Sequence, residues 1–413
     1  MSLKRIVVVG AGPAGMMAAI RSAQLKQDVV LIEKNPHPGR KLLLSGKGRC
    51  NLTNTCDLDP FLKNFGRNGQ FLRNAFQKFS PQDLMHFFES RGLRLKTERQ
   101  GRVFPADKRS ETVLKILEEQ LHNNKVRILF NNTVRDILIR DASVRAVILA
   151  DGKIISADRI ILATGGTSYS FTGSDGQMIK LSQRLGHRIV ELRPGLVPLQ
   201  TFPRYPSLRG LILKNIRVIF SNDSKRIVSD IGELTFTKFG VGGALVLSLS
   251  GQIFDWLSLN KTVYLEIDLK PGLSIEQLHA RLLREFRLNA KKTIRSILKS
   301  LLPKRLIDVF IKTADINPEK KGSQITYSER SRMASLFKRW HLNIVRARPI
   351  EEAMITRGGI SLKDINPRTM ESRIIRGLYF AGEMIDVDAG SGGFNLQAAF
   401  STGYLAGESA ALS

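Results

Sequence analysis

Arg5-Ile6-Val7-Val8-Val9 runs directly into Gly10-Ala11-Gly12-Pro13-Ala14-Gly15, and this junction decides the fold. An apolar run that ends at a glycine reads as a buried strand entering a tight turn. Met16 to Gln24 is an Ala-rich helical segment, and a second apolar run, Val29-Val30-Leu31-Ile32, closes at Glu33. Strand, GxGxxG turn, helix, strand and acid in this order form the βαβ unit that binds a dinucleotide. Gly10 permits the turn, Gly12 lets the main chain approach a pyrophosphate, and Gly15 lets helix and strand pack closely. Pro13 and Ala14 complete the turn at the cofactor, where the helix N-terminus offers free N–H groups and a positive dipole end to phosphate. Glu33 stands 18 residues past Gly15, close to the usual spacing of an acid that hydrogen-bonds a ribose hydroxyl. The N-terminal segment therefore binds an adenine dinucleotide.

Lys4-Arg5 followed by uncharged residues from Ile6 to Ile20 also imitates a signal peptide. The glycines, Pro13 and the following strand with Glu33 fit a nucleotide fold far better. No apolar run approaches the ~18 residues of a membrane span, so a soluble chain that keeps its N-terminus is expected. At 413 residues the chain has room for two or three domains. Cys50 and Cys56, its two cysteines, give neither a disulfide framework nor metal spacing. A reducing, cytoplasmic setting follows. The six histidines show no paired spacing, so metal chemistry is not expected. The charge is unusual: 64 basic against 37 acidic residues give +27. An excess of this size favours a polyanionic partner, most often nucleic acid.

The chain order predicts an α/β protein with an interrupted first domain. Pro38 to Asn54 is Gly-rich and basic. Helices are expected at Phe71–Phe79, at Ser80–Arg91 behind a Ser80 cap, and at Glu111–Leu121. Strands are expected at Val126–Phe130, Val134–Arg140, Val144–Leu149 and Ile160–Ala163, forming a β-meander crossover. Between about Pro194 and Arg346 the pattern changes. Strands at Ile216–Phe220, Glu233–Thr237, Ala244–Ser248 and Val263–Ile267 precede a helical part from Ser274 to about Phe310, with a last basic helix at Glu329–Trp340. The expected layout is a Rossmann-like domain in two segments, 1–193 and 347–413, around an inserted α+β domain, 194–346. Within the insert, the β part covers about 194–273 and the basic helical part about 274–346.

Near the C-terminus, Leu378-Tyr379-Phe380-Ala381-Gly382-Glu383 reads as a buried strand that returns an acid to the cofactor. Gly390-Ser391-Gly392-Gly393-Phe394-Asn395-Leu396-Gln397 then opens a last helix, from about Asn395 to Leu412. Its N–H groups can face a flavin pyrimidine and favour negative charge there. A Gly-rich loop before an ordinary helix is the plainer alternative.

SGKGRCNLTN (45–54), GRVFP (101–105), ATGG (163–166), ITRGGI (355–360), TMESR (369–373) and GLYFAGEMIDVD…GGFNLQ (377–397) together resemble the YhiN/BaiN family of FAD-dependent oxidoreductases. The resemblance runs from end to end. It implies FAD in a glutathione-reductase-like domain, with an inserted β-barrel and helical domain over the isoalloxazine. By position it assigns Gly10, Gly12, Ala14, Gly15, Glu33 and Lys34 to the ADP half and Val134 to adenine. Arg40, Lys41, Gly46, Arg49, Cys50 and Asn51 then line the flavin side, and Thr164 and Gly165 approach the pyrophosphate. Gly382, Glu383, Asp386, Gly393, Asn395, Leu396 and Gln397 complete the flavin site. The chain departs from the family where members read FTH-x-G-x-SGP. Here the stretch is Phe236-Thr237-Lys238-Phe239-Gly240-Val241-Gly242-Gly243, so a relative's substrate does not transfer. Those glycines also imitate a second dinucleotide turn, but Leu245 stands where a third glycine is needed. With no second Rossmann unit, NAD(P)H as transient donor must reach FAD in the open site.

Cys50 lies among Lys47, Arg49, Arg40 and Lys41, neighbours that lower a thiol's pKa. It is the candidate proton donor; the alternative is a small residue packed on the cofactor. On the insert, Arg281, Arg284, Arg287, Lys291, Lys292, Arg295 and Lys299 recur three or four apart. Such a stripe supplies phosphate contacts, or is a solvated basic face. The expected reaction is reduction of a C=C bond conjugated to C=O, a unit shared by enones and uracil. The charge makes a ribosomal RNA uridine the leading substrate, giving dihydrouridine, with the base turned out of its stack. A reductase or oxidase of small molecules is the alternative, and a flavin-containing RNA-binding protein without turnover is the third reading.

Overall fold

The computed structural model describes residues 3–413. The chain divides into two compact units, Met1–Gly195 with Ile350–Ser413, and Leu196–Pro349.

The first unit is built on a five-stranded parallel sheet, in the order Leu378–Phe380, Arg159–Leu162, Arg5–Val9, Asp28–Ile32 and Arg127–Leu129. Its strands are apolar without alternation because helices and loops cover both faces. Ile6 to Val8 are completely buried at the sheet centre. Two of the strands expected in the meander, Val134–Arg140 and Ser143–Leu149, pair with a third that was not expected, Ile154–Ser156, as a separate antiparallel sheet. Arg127–Leu129 and Arg159–Leu162 join the parallel sheet instead. The Ser80 cap is real: its hydroxyl accepts from the Asp83 N–H while the Asp83 carboxylate accepts from the Ser80 N–H.

The first helix, Pro13–Gln24, packs against the C-terminal helix, Phe394–Leu412. Small residues set the distance. A β-carbon added to Gly403 would lie 2.2 Å from the Ala14 carbonyl oxygen, and one on Gly407 would lie 2.4 Å from that of Ala18. The pairings advance together, so the two helices run in the same direction. Only glycine lets backbones approach this closely.

The second unit is an antiparallel sheet with attached helices. Five strands, Ile212–Ser221, Gly232–Phe236, Gly240–Gly242, Leu199–Phe202 and Trp340–Ala347, pair in sequence, and Val263–Asp268 bonds both Trp340–Ala347 and Ile212–Ser221. The sheet therefore closes into a barrel, with Arg226–Val228 attached outside the ring. Its core joins barrel residues such as Phe220 and Leu265 to Leu282, Phe310 and Phe337 of the helices.

Two sequence expectations fail here. Ala244–Ser248 is not a strand but the start of a helix, Ala244–Ser258. Leu-rich alternation there matched period 2 by accident; the burial of Val246, Ser250, Ile253 and Trp256 follows the helical period. The last basic helix ends at Lys338, and Trp340 opens a strand that closes the barrel. The β part therefore does not simply precede the α part, because the closing strand comes last in sequence. Gly240–Gly242 is itself an antiparallel barrel strand, which Gly243 joins to a helix, a setting unlike the parallel one a dinucleotide turn requires.

Candidate functional site

Gly10 adopts φ +99°, and a β-carbon there would meet the Ala163 carbonyl oxygen at 2.7 Å. One on Gly15 would lie 1.8 Å from the Gly10 carbonyl oxygen. Gly12 differs: its β-carbon would meet nothing within 4 Å. Gly10 and Gly15 are thus required by the fold, while the space over Gly12 is kept open. No side chain caps the helix that begins at Pro13, so its first N–H groups face this space. That is a cradle for a pyrophosphate.

Glu33 is buried at the end of the second strand. Its Oε2 accepts from the Ala11 N–H at 2.8 Å, and its Oε1 accepts from the N–H and the side-chain amide of Asn35 at 2.9 and 2.6 Å. The carboxylate is fixed against the glycine turn, and Oε2 keeps a lone pair for a ribose hydroxyl. Lys34 pairs with Asp175 at 2.7 Å, and Arg40 donates to Asn35 at 2.7 Å. Val134 is buried at the start of the meander, next to a segment in which Asn132 N–H donates to the Glu33 carbonyl.

The C-terminal helix supplies a second uncapped N-terminus, behind Gly393 at φ +95°. Ala14 is one residue into its helix and Gly403 is nine into its own. At about 1.5 Å per residue, the later N-terminus extends about 12 Å beyond the earlier one along a common direction. The ribityl chain of FAD spans a gap of this kind, between pyrophosphate and ring. Asn395 pins the approach loop, accepting from the Ala389 N–H at 2.9 Å and donating to the Ala389 carbonyl at 2.8 Å. The Gln397 side chain turns into the protein. It is fully buried, accepts from Thr53 Oγ1 at 2.6 Å and donates to Ser401 and the Phe79 carbonyl. It therefore anchors the helix to the 45–54 loop. Leu396 is partly buried against the core.

The loop itself has the left-handed residues Gly46, Lys47, Gly48 and Cys50. With its amide nitrogen toward the Val103 carbonyl, Asn51 accepts from the Gly393 N–H at 3.0 Å. Arg49 lies over the Phe104 ring, 4.5 Å from its centroid. Cys50 is completely enclosed, and burial pushes its thiol up to about 12 against a weaker opposing hydrogen bond from Ser45. The expected lowering by cationic neighbours is therefore overturned: loss of hydration dominates, and Arg49 and Lys41 are engaged by Phe104 and Glu383 instead.

Lys41 and Glu383 meet in a polar knot. Lys41 Nζ lies 2.6 Å from both Glu383 Oε2 and Ser168 Oγ, while Glu383 Oε1 accepts from Ser168 Oγ at 3.0 Å and the Thr356 N–H at 2.5 Å. Gly165 lies beside it, its β-carbon position 3.9 Å from Glu383 Oε2. Thr164 donates to the Met384 sulfur at 3.3 Å, and Gly382 approaches Ala14. Ser168 and Thr356 were missed from sequence, although Thr356 lies within ITRGGI and Ser168 two residues past ATGG. Asp386 is raised by burial, partly offset by the Asn68 amide at 3.1 Å. Asn68 carries no sequence signal.

Residues 4–409 match the family described as HI0933-like protein Rossmann domain. The chain belongs to this family. These are the YhiN/BaiN flavoproteins its motifs resemble, and the HI0933-like fold carries FAD and oxidoreductase chemistry. The chain is 31% identical to the 3-dehydro-bile acid delta(4,6)-reductase of Clostridium scindens, covering 99% of each chain. It is 27% identical to the ribosomal RNA dihydrouridine synthase of Haemophilus influenzae, covering 96% of each. A crystal structure of the 3-ketosteroid-delta4-(5alpha)-dehydrogenase of Rhodococcus jostii RHA1 shares the fold at TM-score 0.56 and 18% identity, over 99% of this chain and 97% of that one. The open cradle at Gly12, the fixed Glu33 and the two offset helix N-termini fit the FAD of the HI0933-like family.

In the second unit, Arg281, Arg284 and Arg287 share the Ile275–Leu288 helix, and Lys291, Lys292, Arg295 and Lys299 follow it. Arg284, Arg287, Lys291, Lys292 and Lys299 are exposed with no acidic partner among the described residues; Arg295 pairs with Asp308 at 3.1 Å. The departing loop also lies here. Phe239 is flanked by Lys238 and Arg348, 5.2 and 4.1 Å from its ring centroid. Among the described residues, no cluster of His, Cys, Asp and Glu has the makings of a metal site, and no helix is long and apolar enough to cross a membrane.

Proposed function

We propose that this protein reduces a ring C=C bond conjugated to C=O, with a uridine of ribosomal RNA as the substrate and dihydrouridine as the product. Bound FAD supplies the hydride equivalent, and NAD(P)H is the proposed source of its electrons. The chain's own residues supply the rest. The Gly10–Gly15 turn and Glu33 hold the adenosine diphosphate end, while the Lys41–Glu383–Ser168 knot keeps cation and acid in register beside the pyrophosphate loop. The N-terminus of the C-terminal helix favours negative charge at the pyrimidine edge of the flavin. Cys50 keeps its proton at neutral pH, as a donor to the carbon alpha to the carbonyl must; its enclosure is the reason this role needs a kinetic test.

The observation that carries the RNA substrate is the group of exposed cations on the helical insert that have no acidic partner among the described residues, in a chain of net charge +27. A small enone needs no such field; a polyphosphate does. The cytoplasm is the proposed location because ribosomal RNA and reduced thiols are found together there. Nucleoside mass spectrometry of ribosomal RNA from cells with and without the gene tests the reading: a dihydrouridine lost with the gene and restored by the protein is expected.

The second reading, reduction of a small cyclic enone, draws on the 31% identity to a bile acid reductase over nearly the full length. Both relatives' names describe saturation of a ring double bond, so the two readings share one chemistry and differ in how the substrate is held. Flavin reoxidation by a 4-ene-3-ketosteroid, with ribosomal RNA unmodified, would favour this one.

A further inference from the structure

We propose that Tyr327, stacked on His279 and flanked by Arg330, is a platform on which the helical insert stacks an unpaired RNA base. The inference rests on the RNA reading and adds to it, because charge alone does not distinguish single strands from duplex.

Tyr327 is 72% exposed at the first turn of the Tyr327–Lys338 helix. That helix uses Met333, Ala334 and Phe337 for the core, so the tyrosine ring is not needed for packing. The ring is nevertheless held. His279 lies nearly parallel to it, with centroids 6.2 Å apart at 15°, and the Arg330 guanidinium carbon is 5.2 Å from its centroid. An exposed ring already fixed by neighbours loses little freedom on stacking. His279 belongs to the Ile275–Leu288 helix that carries Arg284 and Arg287, so the platform borders the cationic face. Two acids on these helices, Glu276 and Glu329, are engaged. Ser274 Oγ donates to Glu276 at 2.6 Å, and Lys320 and the Thr326 N–H both donate to the Glu329 carboxylate.

Chemically, the platform takes any base through its π-face, with Arg330 adding attraction, and it reads no sequence. It requires the base to be unpaired, because a duplex already stacks its bases internally. RNA held by the cations and gripped at one unstacked base suits a substrate nucleotide that must leave its stack.

The test uses the full chain and fluorescence anisotropy with two probes: a labelled single-stranded RNA of about 12 nucleotides and the same strand in a duplex. Tyr327→Ala is expected to weaken single-strand binding about 5- to 100-fold, while duplex binding and the salt dependence stay unchanged. Tyr327→Phe is expected to keep wild-type affinity. Wild-type protein that binds RNA while Tyr327→Ala changes neither probe, or both equally, overturns the platform and leaves the RNA reading standing. A ring kept for a protein partner gives the first of those results. Wild-type protein that binds neither probe at low salt removes both.

Discussion

The backbone of Ala14 and that of Gly403 touch so closely that a β-carbon on Gly403 would stand 2.2 Å from the Ala14 carbonyl oxygen. This contact, between residues nearly four hundred positions apart, aligns the helix proposed to meet the pyrophosphate with the helix proposed to face the flavin. Gly403→Leu forces the two apart. The expected cost is about 1–3 kcal/mol of stability, the range for overpacking a close interface, together with weakened FAD binding. Denaturant unfolding and FAD titration of the same variant check both; FAD affinity unchanged in a destabilised variant would separate helix spacing from cofactor fit.

Purified protein is expected to be yellow and to carry FAD without a covalent bond. Gly12→Val should abolish that binding while the chain still folds. An added β-carbon meets nothing within 4 Å, and φ is an ordinary −82°, so the substitution is directed into the space proposed for the pyrophosphate. Absorbance of bound flavin and circular dichroism are the measurements. A colourless wild-type protein that ignores added FAD contradicts the assignment.

The Cys50 thiol, raised to about 12, should resist alkylation at pH 8 until the chain unfolds. A group whose folded pKa lies above its unfolded value stabilises fully below the unfolded pKa and loses that contribution as pH climbs through the folded one. Stability is therefore expected to fall between about pH 9 and 12, and Cys50→Ala should flatten this alkaline loss. Thermal midpoints of both proteins across that window decide it.

Cys50→Ala also tests chemistry. If the thiol donates the proton, the variant retains FAD and slows flavin reoxidation by substrate far more than flavin reduction by NAD(P)H. Equal slowing of both half-reactions, or loss of FAD, assigns Cys50 to packing. Unchanged turnover moves the donor to water or to a group such as Lys238 or Arg357.

Reversal of Arg284, Arg287, Lys291 and Lys292 to Glu should weaken RNA binding of all sequences. Each lost phosphate contact lowers the slope of log affinity against log salt by about 0.7–0.9. Affinity measured at several salt concentrations gives the slope. An unchanged slope would mean that the stripe is only a solvated face.

The sequence by itself determined the local units of this protein. The Gly10–Gly15 turn, the apolar strands, the Ser80 cap and the basic stripe all rest on interactions within a few residues, and periodicity and turn chemistry report those directly. The resemblance of its motifs then assigned residues to both ends of the proposed cofactor site. Only tertiary structure decided the rest. The segment from Ala244 is a helix rather than a strand because the burial of Val246, Ser250, Ile253 and Trp256 depends on a barrel closed by Trp340–Ala347, a strand that begins only after the whole helical part. Gln397 faces Thr53 inside the protein, Thr356 and Ser168 join Lys41 and Glu383, and Cys50 loses its water although its sequence neighbours are cationic. Each of these depends on which distant groups share one small space. Desolvation and hydrogen-bond pairing are properties of that space, and neighbouring letters in a sequence do not encode it.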